Sequence, residues 1–108
     1  MSAKKQIQDL SKEFLPKIID IRRNLHSNPE LSFQEFETSK YIKSILADWG
    51  IPFQEHIANT GIVVVLKGKN PEKSCTALRA DFDALPIQEE NEVEYCSKNN
   101  GVMHACGH

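Results

Sequence analysis

The sequence lacks a surplus of either charge and any long apolar run. Thirteen basic side chains against fifteen acidic ones give a formal net charge of −2, so no positive excess exists to hold a nucleic-acid backbone or an anionic membrane. The longest unbroken apolar run, residues 62–66, is far shorter than the roughly 20 residues of a membrane span. The two lysines near the N-terminus are followed by no apolar stretch of a secretory signal. These absences predict a soluble, cytoplasmic protein that binds neither nucleic acid nor membrane.

Cysteine is also scarce, and its three side chains are Cys75, Cys96 and Cys106. An odd number without a secretory signal favours reduced thiols over a disulfide framework. Cys75 lies in an apolar, strand-like run and Cys96 has no partner at a ligand spacing, so we expect both to be small buried hydrophobes. What remains is an ordinary globular composition, 40% hydrophobic and 26% charged, in 108 residues, which is the length of one domain.

An amphipathic helix is predicted near the N-terminus. Apolar residues spaced three or four apart give it one continuous face: Ile7, Leu10, Phe14, Ile18, Ile21 and Leu25. Pro16 interrupts the pattern, either as a kink or as the first-turn proline of a second helix. Asn28 precedes Pro29, and a residue before proline is pushed out of the helical region, so the helix should end there.

A second helix is predicted from about residue 33 to residue 49. Ser32 can cap its start, with Glu35 three residues on completing a capping box. Gly50 fits the position just past its end. Trp49 is expected to anchor the core.

The remainder reads mostly as β-structure and loop. Predicted strands and turns alternate: strand 53–57, turn 59–61, strand 62–66, turn 68–71 and strand 75–80. The second strand is continuous and β-branched, which is typical of a strand buried on both faces. Residues from 84 onward predict a long loop with one short strand. Together these elements predict an α/β fold whose sheet is incomplete, because too few helices are present to cover two faces.

The densest cluster of metal-ligand residue types lies near the C-terminus. Cys106 and His108 are two apart, and the glycine between them lets a tight loop bring both side chains to one ion. Thiolate and imidazole suit zinc and other borderline transition metals. A stable site needs three or four protein ligands, and the other candidates are His104, His26 and His56. By spacing alone, a histidine-rich tail without a metal is an equal alternative.

Two further polar clusters are candidates for chemistry. Asp81 and Asp83 follow a predicted strand, at the strand end where open α/β sheets bind ligands. With Arg79 they could position a metal ligand or hold a substrate carboxylate, and the alternative is an Arg–Asp pair that ties down a loop. The basic segment around Arg22 and His26 is typical of a helix end, where cations favour the dipole.

Four segments in chain order make the sequence resemble the amidohydrolase branch of the M20 metallopeptidase family. That branch includes N-acyl-amino-acid amidohydrolases, hippurate hydrolases, hydrolases of auxin–amino-acid conjugates and N-acetyldiaminopimelate deacetylases. The segments are R-R-N-L-H-S-N-P-E-L-S-F at Arg22–Phe33, T-G-I at Thr60–Ile62, R-A-D-F-D-A-L-P-I at Arg79–Ile87 and G-V-M-H-A-C-G-H at Gly101–His108.

The resemblance implies that residues 1–108 are the N-terminal portion of a three-layer α/β catalytic domain, with helices packed on a mixed sheet and the inserted dimerisation domain absent. Cys106 and His108 would be metal ligands, Cys106 standing where related peptidases have a bridging aspartate. Asp81 would be the catalytic-motif aspartate that orients a ligand. Arg79 stands where other branches have a histidine ligand, so it is not assigned to metal.

The implied activity is hydrolysis of the amide bond of N-acyl amino acids or peptide-like small molecules. It would use one or two divalent ions (zinc, manganese or cobalt) in a full-length enzyme that can be a homodimer. The family's general base belongs to a Glu-Glu pair downstream of the Cys-Gly-His motif, which this sequence does not contain. Glu89 and Glu90 precede the motif and are not assigned that role. The fragment is therefore expected to be inactive.

Two alternatives stay open. The chain could be a non-catalytic metal-binding or interaction module derived from such an enzyme. It could also be the remnant of a disrupted reading frame, whose exposed strand edges would favour aggregation.

Overall fold

The computed structural model describes all 108 residues and contains two helices and one small sheet. Helix α1 is Ala3–Ser27 and helix α2 is Phe36–Asp48. Strands β1, Gln54–Ile57, and β2, Gly61–Val63, form an antiparallel hairpin. Two isolated bridges join the loops, and helices beside a partial sheet agree with the α/β expectation.

Helix α1 is a single element of 25 residues. Ser2 caps its start, where the side-chain oxygen accepts the backbone N–H of Lys5 at 3.3 Å. Pro16 lies inside the helix, so the predicted alternative of a second helix starting there is wrong. The end at Asn28 is confirmed, because this residue is the C-cap. None of the helices combines the length and apolar character that crossing a membrane requires.

The start of α2 differs from the predicted capping box. Ser32 donates its hydroxyl to Asp83 rather than to the helix, and Glu35 makes no capping hydrogen bond. The carboxylate of Glu30 takes over this role: it accepts the N–H groups of Glu37 at 3.3 Å and Thr38 at 2.5 Å. The prediction fails because the chain turns at 31–33 and brings an acceptor from outside the helix to its first turn.

The end of α2 confirms the prediction for Gly50. This glycine has φ +67°, and its N–H donates to Ala47 at 3.0 Å while that of Ile51 donates to Leu46 at 2.9 Å. The two bonds form a Schellman motif, which satisfies carbonyl groups left free at a helix end. Trp49 is 46% exposed, so its predicted role as a core anchor is wrong.

The hairpin turn lies at 58–60, one residue earlier than predicted. Ala58 and Asn59 have φ +49° and +77°, so both adopt positive φ values within the three-residue loop between paired Ile57 and Gly61. A Cβ atom at Gly61 would lie 2.5 Å from the carbonyl oxygen of Ile57, so only glycine fits there. The T-G-I segment thus has a local steric reason for its central residue.

The predicted strands 62–66 and 75–80 are not formed as expected. Strand β2 ends at Val63, and Val65 and Leu66 are exposed. Leu78 is 96% exposed and Cys75 is exposed, so the prediction that Cys75 is buried is also wrong, while Cys96 is half-buried. A strand needs backbone partners on a neighbouring strand, and none lies beside these residues. The loop predicted from 84 onward is confirmed, with one bridge at Leu85 and Met103.

The chain buries little of its apolar surface. Only 8 of 108 residues are buried, and the buried hydrophobic ones are Ala84 and Val102 beside the enclosed Pro29. The accessible surface is 8895 Å², against about 6,100 Å² for a folded monomer of this mass. The radius of gyration is 16.2 Å, against about 13 Å for a compact domain of this length. The apolar face of α1 is therefore exposed, including Ile7 and Phe14.

Candidate metal centre

Three of the four motif segments lie against one another. Leu31 pairs with Ala84 in a parallel bridge, and Ala84 N–H donates to the carbonyl of Glu30 at 2.8 Å. Leu85 pairs with Met103 in an antiparallel bridge, with N–H to O distances of 2.9 and 3.0 Å. The fold thus carries the C-terminal ligand segment on a backbone bridge rather than leaving it as a free tail.

The loop that connects Leu85 to Met103 is fixed to the end of α1. Buried Ser27 donates its hydroxyl to the carbonyl of Tyr95 at 2.9 Å. The backbone carbonyl of Ser27 accepts the N–H of Lys98 at 2.9 Å. The Arg23 guanidinium lies 4.5 Å from the centre of the Tyr95 ring, a cation–π contact. The basic helix end predicted around Arg22 and His26 is therefore a docking point for this loop.

His26 and Glu89 form a side-chain pair that joins α1 to the loop after Leu85. His26 Nε2 lies 3.1 and 3.0 Å from the two carboxylate oxygens, and these side chains are 12% and 3% exposed. Glu89 also accepts the N–H of Ser97 at 2.6 Å and the side-chain amide of Asn91 at 3.0 Å. These bonds, that of His26 first, lower the pKa of Glu89 from 4.5 to about 2. Sequence reasoning missed this pair, because 63 residues separate its members and no motif spacing links them.

Cys106 and His108 are brought together as predicted. The Cys106 Sγ and His108 Nδ1 atoms are 3.4 Å apart, and both residues are exposed. Zinc bonds of about 2.3 Å to sulfur and about 2.1 Å to nitrogen, at a tetrahedral angle, separate the two ligand atoms by about 3.6 Å. The pair therefore fits two adjacent positions around one metal ion.

No third side chain completes the site. Nowhere in the chain do three His, Cys, Asp or Glu side chains gather in an arrangement that could hold a metal ion. His26 is engaged by Glu89, and His56 accompanies the hairpin turn, with Nδ1 3.3 Å from the carbonyl oxygen of Asn59. The residues present thus fit half of a tetrahedral metal site.

His104 precedes Cys106 by two residues and packs beside His26. Its ring centre lies 6.4 Å from that of His26, and its Nε2 atom is buried without a hydrogen-bond partner. Burial, and secondly the neighbouring His26, lower the pKa of His104, while Asp83 acts in the opposite direction. The ring packs beside His26 within the segment that leads to Cys106.

Asp81 lines a surface cleft and shares no metal-binding group with Cys106 and His108. It lines a cleft of about 350 Å³ with Arg79, between the turn after α1 and the hairpin, and its side chain is exposed. Arg79 forms no ion pair, so the predicted Arg–Asp pair is absent, while Asp83 accepts the hydroxyl of Ser32. No metal-binding group combines Asp81 with the ligand pair.

Comparison with known proteins finds similar sequences. The family model described as Peptidase family M20/M25/M40 matches residues 77–108. The N-acyl-L-amino acid amidohydrolase of Geobacillus stearothermophilus is 46% identical over 105 residues, which are 97% of this chain and 28% of that protein. The N-acetyl-L-cysteine deacetylase of Bacillus subtilis is 48% identical over 91 residues, 84% of this chain and 22% of that protein.

A solved structure gives the same result for the fold. The Bacillus subtilis YXEP protein, described as a dinuclear metal binding peptidase from the M20 family, is 44% identical with a TM-score of 0.81. The match covers 89% of this chain and 27% of that one. The chain spans about a quarter of the length of the curated relatives that it matches.

These observations define part of an α/β fold that carries a cysteine–histidine pair. The resemblance to the M20 family stated from the four sequence segments is confirmed: residues 77–108 match the family, and similar proteins include amidohydrolases and a deacetylase.

Proposed function

We propose that this chain supplies two metal ligands, Cys106 and His108, to a metal-dependent amidohydrolase that cleaves the amide bond of N-acyl amino acids. The observation that carries the proposal is the 3.4 Å approach of Cys106 Sγ to His108 Nδ1. Relatives named as an N-acyl-L-amino acid amidohydrolase and an N-acetyl-L-cysteine deacetylase supply the substrate class. Related peptide-like small molecules belong to the same proposal.

Residues 1–108 would form the N-terminal portion of the catalytic domain, without the inserted dimerisation domain. The large accessible surface and the unpaired apolar segments support this assignment, because both leave faces for further strands and helices to cover. The remaining ligands and the glutamate base would then come from outside these residues. With half a metal site and no base, the chain alone is expected to be inactive.

The chain's own residues have distinct roles in this proposal. Cys106 would bind as a thiolate and His108 through a neutral ring nitrogen. Sulfur and nitrogen ligands together suit zinc, manganese or cobalt, and the complete site would hold one or two of these ions. When bound, the metal supplies polarisation of the amide carbonyl and activation of water. Asp81 would orient a ligand from outside the metal's immediate shell.

The expected partners are small acylated molecules, not nucleic acid or membrane, since the net charge is −2. We place the protein in the cytoplasm. The full-length form would be a homodimer through the inserted domain, outside these residues.

One experiment tests inactivity directly. The purified chain is assayed for hydrolysis of N-acetyl and N-benzoyl amino acids with added manganese, zinc or cobalt, and no turnover is expected. Robust turnover that disappears in Cys106→Ser would refute the inactivity. Tight stoichiometric metal binding without turnover would instead favour the non-catalytic metal-binding module.

A chimera tests the catalytic assignment. The aligned 91 residues of the Bacillus subtilis N-acetyl-L-cysteine deacetylase are replaced by those of this chain, which are 48% identical. The chimera should hydrolyse its acylated substrate, and Cys106→Ser should reduce kcat/KM by more than about 100-fold, beyond the usual effect of losing an outer-shell partner. Cys75→Ser is the matched control, because this exposed thiol has no ligand partner. Equal activity of the two variants would exclude Cys106 as a metal ligand.

A further inference from the structure

The ligand pair sits at the end of a segment with little regular structure. Its last backbone bridge is at Met103, three residues before Cys106. The loop that leads to this bridge contains no helix or paired strand. Something other than secondary structure must therefore set the path of the segment.

Glu89 is the centre of the side-chain contacts in that loop. Its Oε1 atom accepts the N–H of Ser97 at 2.6 Å, and the Ser97 hydroxyl lies 2.7 Å from the carbonyl oxygen of Val102, the residue before the bridge. The neighbouring Gln88 side chain accepts the N–H of Gly101 at 2.7 Å. Two adjacent side chains thus hold both ends of the turn that leads into the ligand segment.

His26 fixes this centre to α1. Its Nε2 atom contacts both oxygens of Glu89, while its ring lies beside the ring of His104, two residues before Cys106. The carboxylate is 3% exposed, and every polar neighbour within hydrogen-bond distance is a donor. A buried acceptor surrounded by donors from three segments is rigid, because moving any one of them leaves a group unsatisfied.

We propose that Glu89, anchored by His26, is a positioning residue that sets the geometry of the Cys106–His108 pair. The inference rests on the proposed metal role of that pair. A thiolate and an imidazole bind one ion well only when their backbone is held within about 0.5 Å of the productive geometry. Glu89 does this through Ser97 and Val102 and takes no part in proton transfer, since its oxygens already face donors.

The test compares Glu89→Gln with Glu90→Gln in the deacetylase chimera, which would supply the remaining ligands of the proposed site, with Co²⁺ as the probe. The chimera without a further substitution is the wild type of this test. Glutamine keeps the shape of Glu89 but turns an amide NH₂ group toward donors. Glu90 is exposed and makes no side-chain hydrogen bond, so it is the matched control. We expect about tenfold weaker Co²⁺ binding in Glu89→Gln, with a shifted thiolate-to-cobalt charge-transfer band at saturation. Loss of stability alone would leave the band of the saturated complex unchanged.

Two further variants keep the result decisive if Glu89→Gln does not fold. His26→Gln retains a donor near the Nε2 position and should bind Co²⁺ more tightly than His26→Ala. Equal affinities and equal bands for wild type, Glu89→Gln and both His26 variants would overturn the positioning role.

Cys106→Ser separates this inference from the proposed function. A Cys106-dependent band in wild type that Glu89→Gln leaves unchanged would refute positioning while the metal pair stands. Absence of any Cys106-dependent band in wild type would refute the metal pair, and the positioning role with it.

Discussion

Replacing Glu30 by alanine should open the first turn of α2. The Glu30 carboxylate accepts the N–H of Glu37, the N–H of Thr38 and the Thr38 hydroxyl, the last at 2.6 Å. Thr38 is 4% exposed, so water cannot readily replace these bonds. The substitution therefore removes a helix cap and leaves a buried hydroxyl without its acceptor.

The magnitude follows from those two losses. A lost N-terminal cap costs about 0.5–2 kcal/mol, and a buried polar group left unsatisfied costs about 1–3 kcal/mol. The two overlap at Thr38, so we expect a combined loss of about 2 kcal/mol in the free energy that opens this turn. An effect of that size corresponds to about 30-fold faster exchange of the protected amide.

Amide hydrogen exchange followed by NMR measures this directly at Thr38. Glu13→Ala is the control, since Glu13 lies exposed on α1 and makes no side-chain hydrogen bond or ion pair. It should leave the exchange rates in α2 unchanged. A change of less than about twofold at Thr38 in Glu30→Ala would refute the capping role derived from these contacts.

Three other outcomes are expected. Gly61→Ala should destabilise the hairpin by about 1–3 kcal/mol, because the new Cβ atom clashes with the carbonyl oxygen of Ile57. Gly68→Ala should have no such effect, because its Cβ atom would meet no atom within 4 Å, and thermal unfolding compares the two variants. The folded pKa of Glu89 is depressed from 4.5 to about 2, so its stabilising contribution is full above pH 4.5 and lost as pH falls through 2; carboxyl ¹³C shifts should show that midpoint, and one near 4.5 would contradict it. Lys43→Ala should cost less than about 1 kcal/mol, because its ion pair with Glu55 is partly exposed, and chemical denaturation checks this.

The helices were predictable because their signals are local. The spacing of apolar residues predicted helix over most of α1, and Gly50 marked the end of α2 through a bond pattern confined to residues 46–51. The cap of α2 was not predictable, because Glu30 reaches Thr38 across a turn whose course no local pattern specifies. Ser32 has the right residue type and spacing for the role but donates to Asp83 instead.

The extent of the strands could not be predicted from local composition. Residues 62–66 have the β-branched composition of a buried strand, yet β2 ends at Val63 and Leu66 is 75% exposed. Composition sets how well a side chain packs on a sheet, but pairing depends on a neighbour that supplies backbone hydrogen bonds. Without that neighbour the same residues remain irregular.

The sequence by itself determined the resemblance to the M20 family, through four collinear segments, and it placed Cys106 and His108 two residues apart, which allows only a narrow range of separations. Tertiary structure alone decided the long-range contacts of the loop that leads to these two residues. His26 and Glu89 are 63 residues apart, and their contact exists only because the loop folds back onto the end of α1. Contacts of this kind depend on the closure of the whole chain, which local patterns do not encode.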